Sequence, residues 1–501
     1  MIDLYSAKEV KNIEKTLIDG GVEEIALVFK AARGILKFLD LKKSYTIVCG
    51  RGNNGADGFC LASLLMDEGV KVSVVYLSEK FTDAEWYFYQ KCLYRSINVQ
   101  KYDGKIPYAD VIFDCVFGIG FYGELSGDYL SAVNKINEMK ERGALIYSAD
   151  IPSGLNAENG LTGVCVKADK TFIIGKNKVG EFLASANDFV GETAFVDIGL
   201  EGGSPCAKLV EEKDFSSILK VRKNNSNKYD YGFVGILGGS ESYSGAVKLS
   251  NLAATAASSG AGVVRLIVSK DIAPFVAPYL LESTLYSVNG ENGHAVFDER
   301  NLLDATNKLN SLAVGMGMTD CEDTRKIVTH LLKTFTGTLI IDADGLNSIK
   351  NEVSLLKSAA AKKVILTPHT GEFSRLLKKT RAEIEEDPVT IAKSFAKEYG
   401  VILLLKGPST IVTDGESVFV INKGTAGMAT AGSGDVLSGV LSAIHGYNEP
   451  TALSVACAAY ICGLAAELAE KDISVISHTA SDTVAYIKRA IKIIADKDQN
   501  S

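Results

Sequence analysis

An aspartate that follows a glycine-rich turn is the strongest chemical signal in this chain. The stretch GTAGMATAGSGDVLSGVLSAI predicts a turn at Gly432, Ser433 and Gly434 and a helix that begins near Asp435. Amide N–H groups at the start of a helix bind anions and stabilise negative charge that develops on them. A carboxylate there can act as a general base towards a substrate hydroxyl, so the turn favours phosphoryl transfer. The alternative is an aspartate that only caps the helix.

Other chemistry-bearing residues follow predicted strands in the same half. Lys406, Ser409 and Thr410 come after the buried strand of LLLKGPST and suit the phosphates of a nucleotide. His369 in TPHTGEF is either a packed structural residue or a ligand contact, and Gly317 in VGMG lets a ring or ribose approach the backbone.

Two acids in the same half have two open interpretations. Asp342 and Asp344 in IDADGLN either cap a helix or face a magnesium shell through water.

The first half carries a glycine-rich turn of a different kind. In CGRGNNGADGF, Gly50, Gly52 and Gly55 have the spacing G-x-G-x-x-G. An ordinary dinucleotide turn also needs an acid about 20 residues further on, at the end of the next strand. That strand ends in VVYLSEK, where Ser78 and Glu79 are a poor match. The spacing alone therefore does not favour an ordinary NAD-binding turn.

Oxygen-bearing side chains at three strand ends of this half suggest a ligand site. Asn53, Asn54 and Asp57 follow the first strand, and Asp114 and Asp150 follow two later strands. Carboxyl ends of parallel strands gather at one edge of a sheet, where ligands bind. Oxygen ligands of mixed charge suit a hard cation or a polyhydroxylated ligand. The alternative is that these side chains only cap helices and turns.

Alternating apolar runs and helical segments must position these residues. SYTIVCG, VKVSVVYLS, DVIFDCVFG, ALIYSADIP, KTFIIG and TAFVDIG predict buried strands of a parallel sheet, after a helical stretch over residues 1 to about 40. The polar segment 201–232, with its GG, SP and NNSN punctuation, predicts a domain boundary. A second α/β alternation follows, and it ends in helices near 432–446, 450–470 and 480–496. We predict an α/β protein with domains over residues 1–208 and 222–497.

Composition narrows the class of protein. The 501 residues are 47% hydrophobic and 23% charged, and the net charge of −8 argues against binding to nucleic acid or to an anionic membrane. The N-terminal segment is charged and amphipathic, which is not typical of a signal peptide. The apolar run Leu453 to Ala466 predicts a buried core helix, being too short for a membrane span. Nine cysteines without a C-x-x-C pair indicate reduced thiols, a cytoplasmic location and no zinc site.

The first half resembles NAD(P)H-hydrate epimerases over about residues 1 to 200. GRGNNGADG, FDCVFGIG, SADIPSGLNAENG and TFIIGKNKVG match the signatures of that family in order, although ALVFKAARG lacks the acid of its usual Met-Glu-Asn-Ala-Gly-like stretch. The resemblance implies a Rossmann-like three-layer αβα fold and exchange between the R and S forms of a nicotinamide hydrated at C6. It implies K⁺ bound by Asn54, Asp114 and Ser153, and proton transfer by Asp150. The implied substrate contacts are Asn53, Asn54, Gly55, Ala56, Asp57, Gly118, Ile119, Gly120, Phe121, Tyr122, Gly123, Glu124 and Asp150.

The second half resembles the ADP- or ATP-dependent NAD(P)H-hydrate dehydratases, a branch of the ribokinase-like superfamily, over about residues 222 to 495. KYDYG, GGSESYSGA, TPHTGE, KGPST and GSGDVLSG carry this resemblance. It implies Mg²⁺, and it implies that Asp435 assists phosphorylation of the C6 hydroxyl. The implied hydrate contacts are Ala246, Gly317, His369 and Asp435, and the implied nucleotide contacts are Lys406, Gly407, Pro408, Ser409, Thr410 and Gly434.

Together the two resemblances imply a bifunctional repair enzyme for hydrated NADH and NADPH. The two-domain fusion is similar to the bacterial arrangement, which favours ADP as co-substrate, and the family implies a homo-oligomer. The alternative is a ribokinase-like small-molecule kinase whose first half binds dinucleotides without catalysis.

Overall fold

The computed structural model describes residues 1–219, 222–257 and 261–496, and the chain divides into two compact units. One unit is Ile2–Ala207 and the other contains the residues from Lys208 onward. Residues 220–221 of the predicted linker and the predicted domain end at residue 497 lie outside the described residues.

The first unit alternates strands and helices around a parallel sheet. Its strand order is β4-β3-β2-β5-β6-β7-β9, and every pairing is parallel. The elements are β1 Ile2–Tyr5, α1 Ala7–Asp19, α2 Glu24–Leu36, β2 Tyr45–Cys49, α3 Asn53–Asp67, β3 Val72–Tyr76, α4 Asp83–Tyr94, β4 Asn98–Lys101, β5 Val111–Cys115, α5 Gly127–Glu141, β6 Leu145–Ala149, β7 Lys170–Ile174, β8 Asn177–Lys178 and β9 Glu192–Val196.

The central strands of this sheet are buried on both faces. All five residues of β2 and of β5 are buried, as their continuous apolar runs predict. The six strands expected from the sequence are present. The helical stretch expected over residues 1 to 40 was wrong in detail, because it contains β1 and two helices. The helices are separated at Gly20 and Gly21, and Gly21 has a φ of 98° that most side chains disfavour.

The second unit is a larger α/β assembly. Its strands follow the order β13-β12-β11-β16-β17-β18-β19-β20-β21-β10, with β19–β20 and β20–β21 antiparallel and the other pairs parallel. Its elements are β10 Ala207–Leu209, β11 Phe233–Leu237, α6 Ser244–Ala256, β12 Val263–Ser269, α7 Ala273–Val276, β13 Thr284–Val288, β14 Gly290–Glu291, β15 His294–Ala295, α8 Glu299–Thr306, β16 Ser311–Val314, α9 Glu322–Thr334, β17 Thr338–Ile341, α10 Asp344–Ile349, β18 Lys363–Leu366, α11 Thr370–Leu377, α12 Arg381–Glu386, α13 Pro388–Tyr399, β19 Ile402–Leu405, β20 Thr410–Thr413, β21 Val418–Ile421, α14 Ser433–Ile444, α15 Ala452–Asp472 and α16 Ala480–Asp496.

Helix α15 forms part of the core of this unit. Among the described residues it is the one helix with the length and hydropathy of a membrane span, at 21 residues and a mean hydropathy of 1.8. The helix extends beyond the apolar run, so its length alone does not exclude a membrane span. The predicted buried core helix is nevertheless confirmed. Burial identifies its place, since 83% of the apolar window is inside the unit, where it packs in one cluster with α14 and α16.

Each sheet has a point where the chain reverses its direction of travel across the strands. In the first unit β2 lies between β3 and β5, and in the second β11 lies between β12 and β16. Loops that leave the two central strands in opposite directions open a crevice at the carboxyl edge of such a sheet. The two candidate sites lie at these edges.

Candidate active sites

In the first unit, two polar side chains meet beside Gly118 in the loop after β5. A Cβ atom at residue 118 would lie 3.0 Å from Oδ2 of Asp150 and 3.6 Å from Cβ of Asn54. The amide N–H of Ile119 donates to Oδ2 of Asp150 at 3.3 Å. The start of α3, the loop after β5 and the end of β6 thus converge, and only glycine leaves this space open.

A buried hydrogen-bond network surrounds Asp114 at the end of β5. Its carboxylate accepts from Ser153 Oγ at 2.6 Å, from Ser153 N at 2.9 Å, from Ser148 Oγ at 3.0 Å and from Val116 N at 3.1 Å. Burial raises the pKa of Asp114, and these hydrogen bonds oppose that effect. The network ties the ends of β5 and β6, which are neighbouring strands, to Ser153.

Asn54 fits an oxygen ligand for a cation. Its side chain is 7% exposed, and neither Oδ1 nor Nδ2 has a hydrogen-bond partner among the described residues. A buried amide without a partner is costly, so such a group indicates a missing ligand. Together with the carboxylate of Asp114 and the hydroxyl of Ser153, it forms an all-oxygen donor set that a hard cation accepts.

Acidic side chains from three elements face one another in this site. Burial raises the pKa of Asp57, on α3, well above its ordinary value, and the charge of Asp150 adds to the effect. Burial also raises the pKa of Glu14, on α1, to about 7, again with a contribution from Asp150. Neighbouring carboxyl groups whose pKa values are shifted by their surroundings are suited to act as general acid and general base.

Other predicted contacts of this site are less enclosed. Gly55, Ala56 and Asp57 are buried in the first turns of α3, whereas Asn53 at its start is exposed. In the loop after β5, Ile119 and Phe121 are partly buried. Gly120, Tyr122, Gly123 and Glu124 face solvent.

In the second unit, the predicted turn begins α14. Gly432 has a φ of 95°, a conformation that favours glycine, and Ser433 Oγ donates to the carbonyl of Met428 at 2.8 Å. A Cβ at residue 434 would lie 3.2 Å from Nζ of Lys406 and 3.5 Å from Oδ2 of Asp342. The turn therefore leaves a small open space beside a lysine ammonium, which suits an anion.

Lys406 is held by two acids next to that space. Its Nζ lies 2.8 Å from Oδ1 of Asp342 and 4.0 Å from Oε2 of Glu372. Ser438 Oγ, one turn into α14, donates to the other oxygen of Asp342 at 2.8 Å. Burial lowers the pKa of Lys406, but the surrounding carboxylates outweigh it and the net pKa is raised, so the ammonium stays charged.

Asp435 has the properties of a general base. It is partly exposed in the first turn of α14, where the N-cap is Gly432, and among the described residues no hydrogen bond of its side chain caps the helix, so the simple capping interpretation is not favoured. Burial raises its pKa to about 7, and the charge of Asp342 adds to the rise while that of Lys406 opposes it. A base with a pKa near the working pH is efficient at proton transfer.

His369 combines a structural role with a place at the site. It is the N-cap of α11, where its Nδ1 accepts from the N–H of Gly371 at 3.0 Å, and its backbone pairs with that of Lys406. The side chain is 52% exposed and Nε2 lies 3.6 Å from Oε2 of Glu372. Burial lowers the pKa of His369, so the ring is neutral at pH 7.

The remaining predicted contacts of the second site fall at neighbouring positions. A Cβ at Gly317 would lie 3.1 Å from Cβ of Ala246, so these two residues adjoin. Ser409 is buried and its Oγ has no hydrogen-bond partner among the described residues, whereas Gly407 and Pro408 are exposed. Thr410 begins β20. A buried hydroxyl without a partner is available to a ligand.

The second site has few free carboxylate ligands for Mg²⁺, so the phosphates of the bound nucleotide would have to supply the others. Both oxygens of Asp342 are engaged, and Oδ2 of Asp344 accepts from the N–H of Thr319 at 2.8 Å. In the described ranges no cluster of three or more His, Cys, Asp or Glu side chains is arranged to hold a metal. Mg²⁺ commonly uses one or two carboxylates with water and substrate phosphates, so Asp344 and Asp435 are compatible with it.

Sequence reasoning missed three side chains of the first site and one of the second. Lys178 and Glu181 are buried next to Asp150, and two charged residues three positions apart directly after the apolar run TFIIG were a usable signal. Glu14 interrupts the apolar stripe Val10, Ile13 and Leu17 of α1, which was also readable. Ser438 carried no signal, because its partner is distant along the chain.

Comparisons with known proteins agree with this two-site architecture. A family model described as NAD(P)H-hydrate dehydratase matches residues 234–489, and one described as YjeF-related protein N-terminus matches residues 25–180. The ADP/ATP-dependent NAD(P)H-hydrate dehydratase from Bacillus subtilis, co-crystallised with ATP/Mg²⁺, is a similar solved structure. It is 25% identical with a TM-score of 0.50, and the match covers 57% of this chain and 99% of the other.

Relatives also match along nearly the whole chain. A bifunctional NAD(P)H-hydrate repair enzyme from Moorella thermoacetica is 31% identical over 90% of this chain and 88% of its own length. One from Thermofilum pendens is 30% identical, covering 97% and 96%, and one from Escherichia coli is 28% identical, covering 91% and 87%. The chain therefore belongs to the family of bifunctional NAD(P)H-hydrate repair enzymes.

Proposed function

We propose that this chain repairs hydrated NADH and NADPH in two steps. The domain of residues 1–208 interconverts the R and S hydrates, and the domain of residues 222–497 dehydrates the S hydrate with ADP, yielding NAD(P)H, AMP and phosphate. One observation carries the proposal. The partly exposed carboxyl of Asp435 lies in the first turn of α14, near the Lys406 ammonium and the Gly432–Gly434 turn. That arrangement is suited to activating a hydroxyl towards a bound phosphate.

In the dehydratase step Asp435 takes the proton of the C6 hydroxyl. The hydroxyl oxygen then attacks the β-phosphorus of ADP, and AMP leaves. Loss of phosphate from C6 and of a proton from C5 restores the ring double bond, so the oxygen of the hydrate departs in the phosphate. Lys406 and the amide N–H groups around Ser433 stabilise the charge on the transferred group.

The same site would bind the nucleotide and Mg²⁺. Lys406, Gly407, Pro408, Ser409, Thr410 and Gly434 would bind the nucleotide, which the unpartnered hydroxyl of Ser409 supports. Ala246, Gly317 and His369 would contact the hydrate. Mg²⁺ would supply positive charge to the phosphates, and the ATP/Mg²⁺ complex of the Bacillus subtilis relative supports this use.

In the epimerase step the proposed centre is Asp150. Its Oδ2 is beside Gly118 and the Ile119 amide, where a hydrated ring can lie against the loop Gly118–Glu124 and the helix start Asn53–Asp57. Asn54, Asp114 and Ser153 would hold K⁺, which would contribute a fixed positive charge near the ring. Asp150 would move a proton at the C6 hydroxyl as the C6–O bond breaks and re-forms on the other face.

The cellular setting follows from the same proposal. Small-molecule hydrates and ADP are the partners, with neither nucleic acid nor a membrane, in a homo-oligomer in the cytoplasm. Seven of the nine cysteines are buried free thiols, which supports a reducing compartment. A small-molecule kinase with a non-catalytic first half is not favoured, because the chain matches repair enzymes along both halves.

One assay tests both halves. The protein is incubated with a mixture of R and S hydrates, K⁺, Mg²⁺ and ADP, and recovery of the reduced nicotinamide absorbance is followed. We expect full recovery. Recovery that stops at the S fraction would reject the epimerase, and a stable phosphorylated alcohol with no recovery would favour the kinase. Asp150→Asn should limit recovery to the S fraction, and Asp435→Asn should suppress it altogether.

A further inference from the structure

A buried lysine lies directly behind the proposed epimerase centre. Lys178, in β8, is 0% exposed, and its ammonium forms an ion pair with Oδ1 of Asp150. The same Nζ is 3.4 Å from the carbonyl of Ile174 and 3.6 Å from Oε1 of Glu181. A fully buried lysine is rare unless it is paired, so this position calls for a specific explanation.

Glu181 holds the backbone of this lysine. The amide N–H of Lys178 donates to Oε2 of Glu181 at 2.7 Å, and the carboxyl is 0% exposed. Burial raises the pKa of Glu181 to about 8, so at neutral pH it is mainly protonated. The ammonium of Lys178 is then balanced chiefly by Asp150.

Asp150 divides its two oxygens between the lysine and the crevice. Oδ1 faces Lys178, whereas Oδ2 faces Gly118 and the N–H of Ile119. Its backbone has a φ of 67°, which is unusual for a residue other than glycine. Unusual backbone conformations persist where surrounding contacts hold them, and the ion pair is such a contact.

The ammonium also offsets the acids that face Asp150. Glu14 on α1, Asp57 on α3 and Glu181 all lie close enough to interact with the charge of Asp150. Without the lysine, Asp150 would be a carboxylate among carboxyl groups, with no cation opposite Oδ1.

We propose that Lys178 is a positioning residue of the epimerase, which balances the charge of Asp150 and holds Oδ1 so that Oδ2 faces the hydrated ring. The inference rests on the proposed epimerase function. It assigns Lys178 no contact with the substrate, so its whole effect on the reaction passes through Asp150.

The test compares Lys178→Met, Lys178→Arg, Asp150→Asn and the double variant Lys178→Met/Asp150→Asn. Exchange of purified R hydrate into S hydrate is followed by chromatography without nucleotide, so that the dehydratase is silent. Dehydration of S hydrate with ADP is measured on the same samples as an internal control. Lys170→Met is the control for loss of a lysine charge elsewhere in the sheet, since Lys170 forms a more exposed pair with Glu192 at 2.9 Å between β7 and β9.

We expect Lys178→Met to lower kcat for exchange by about 100-fold with little change in KM, and Lys178→Arg to retain more activity. The double variant should match Asp150→Asn within about 3-fold, because the two residues act as one unit. Lys170→Met should exchange like the wild type, and all variants should dehydrate the S hydrate normally.

Three outcomes would contradict the inference. The first is a Lys178→Met variant that exchanges the hydrates at the wild-type rate, and the second is a Lys170→Met variant that loses as much exchange activity as Lys178→Met. The third is a double variant whose kcat is below that of Asp150→Asn by the full factor that Lys178→Met alone produces. If Lys178→Met does not fold by circular dichroism, Lys178→Gln, which keeps a hydrogen-bond donor without the charge, decides by the same comparison. Absence of exchange by the wild type in K⁺ would instead reject the proposed epimerase function itself.

Discussion

The Nζ atom of Lys406 lies 2.8 Å from Oδ1 of Asp342, and Ser438 Oγ donates to the second oxygen of the same carboxylate at 2.8 Å. Asp342 is 2% exposed, whereas Lys406 retains 22% exposure towards the turn at Gly434. A buried carboxylate thus anchors an ammonium whose free side points at the proposed phosphate position. Five expected outcomes concern this site and its counterpart in the first unit.

Removing the negative charge of Asp342 should leave Lys406 less firmly positioned. Asp342→Asn removes the charge opposite Lys406, so we expect KM for ADP to rise about 10-fold and the free energy of unfolding to fall by about 2 kcal/mol. Steady-state kinetics and urea denaturation measure the two effects. Lys397→Met, which breaks an exposed pair with Glu416 at 2.9 Å, is the control and should change stability by less than about 1 kcal/mol. Equal effects of the two variants would contradict the anchoring role.

The dehydratase should show an acid limb in its pH profile. Because the pKa of Asp435 is about 7 and a base must be ionised, kcat/KM for the S hydrate should rise with pH, with a midpoint near 7. The charge of Asp344 contributes to that raised pKa, so Asp344→Asn should move the midpoint to lower pH. Asp320→Asn, which removes an acid paired with Lys350 at 2.6 Å, should leave it in place. A midpoint that stays near 7 in Asp344→Asn would argue against Asp435 as the titrating group.

The same raised pKa has a consequence for stability. The folded state keeps the Asp435 proton up to about pH 7, whereas the unfolded chain releases it near pH 4, where aspartates ordinarily titrate. Between these values the folded state binds more protons, so this group's contribution to stability falls as pH rises. Asp435→Asn should therefore gain in melting temperature relative to the wild type as pH is raised from 4 to 8. A constant difference across that range would contradict this linkage.

The unpartnered amide of Asn54 should make the first site sensitive to K⁺. Replacing K⁺ by choline should slow R/S exchange, and Asn54→Leu should abolish the response to K⁺. Because the leucine removes a buried polar group without a partner, Asn54→Leu should also melt at or above the wild-type temperature in choline. Differential scanning fluorimetry and the exchange assay provide the measurements. An Asn54→Leu enzyme that still responds to K⁺ would place the cation elsewhere.

A methyl group beside Lys406 should compete with the nucleotide. In Gly434→Ala the new Cβ would be 3.2 Å from Nζ of Lys406 and meets no backbone atom within 4 Å outside its own helix, so we expect normal folding. KM for ADP should rise at least about 10-fold, which corresponds to a loss of about 1.4 kcal/mol of binding free energy. Gly163→Ala, at a glycine with open space around it, is the matched control for an added methyl. An unchanged KM in Gly434→Ala would exclude this turn as the phosphate site.

The strands with continuous apolar runs were predictable because a strand that is buried on both faces needs an apolar residue at nearly every position. β2 and β5 are examples, and the last three helices also match their predicted positions closely. Exposed and very short strands do not show such a continuous apolar run. β13 is mostly exposed, β4 has no buried residue, and β14 and β15 have two residues each, so sequence reasoning passed over them.

The sequence by itself determined which residues stand at the carboxyl ends of strands, because chain order places each loop after its strand. That is why Asn54, Asp114, Asp150 and Lys406 were identifiable before the structure, whereas Asp435 was identifiable from the glycine-rich turn before its helix. The pairings among side chains were decided only by the tertiary structure. Asp342 is 64 residues from Lys406 and 96 from Ser438, and Lys178 is 28 residues from Asp150. Contacts across such separations depend on strand order and helix packing, and these set which acids share a crevice and how far burial raises their pKa values.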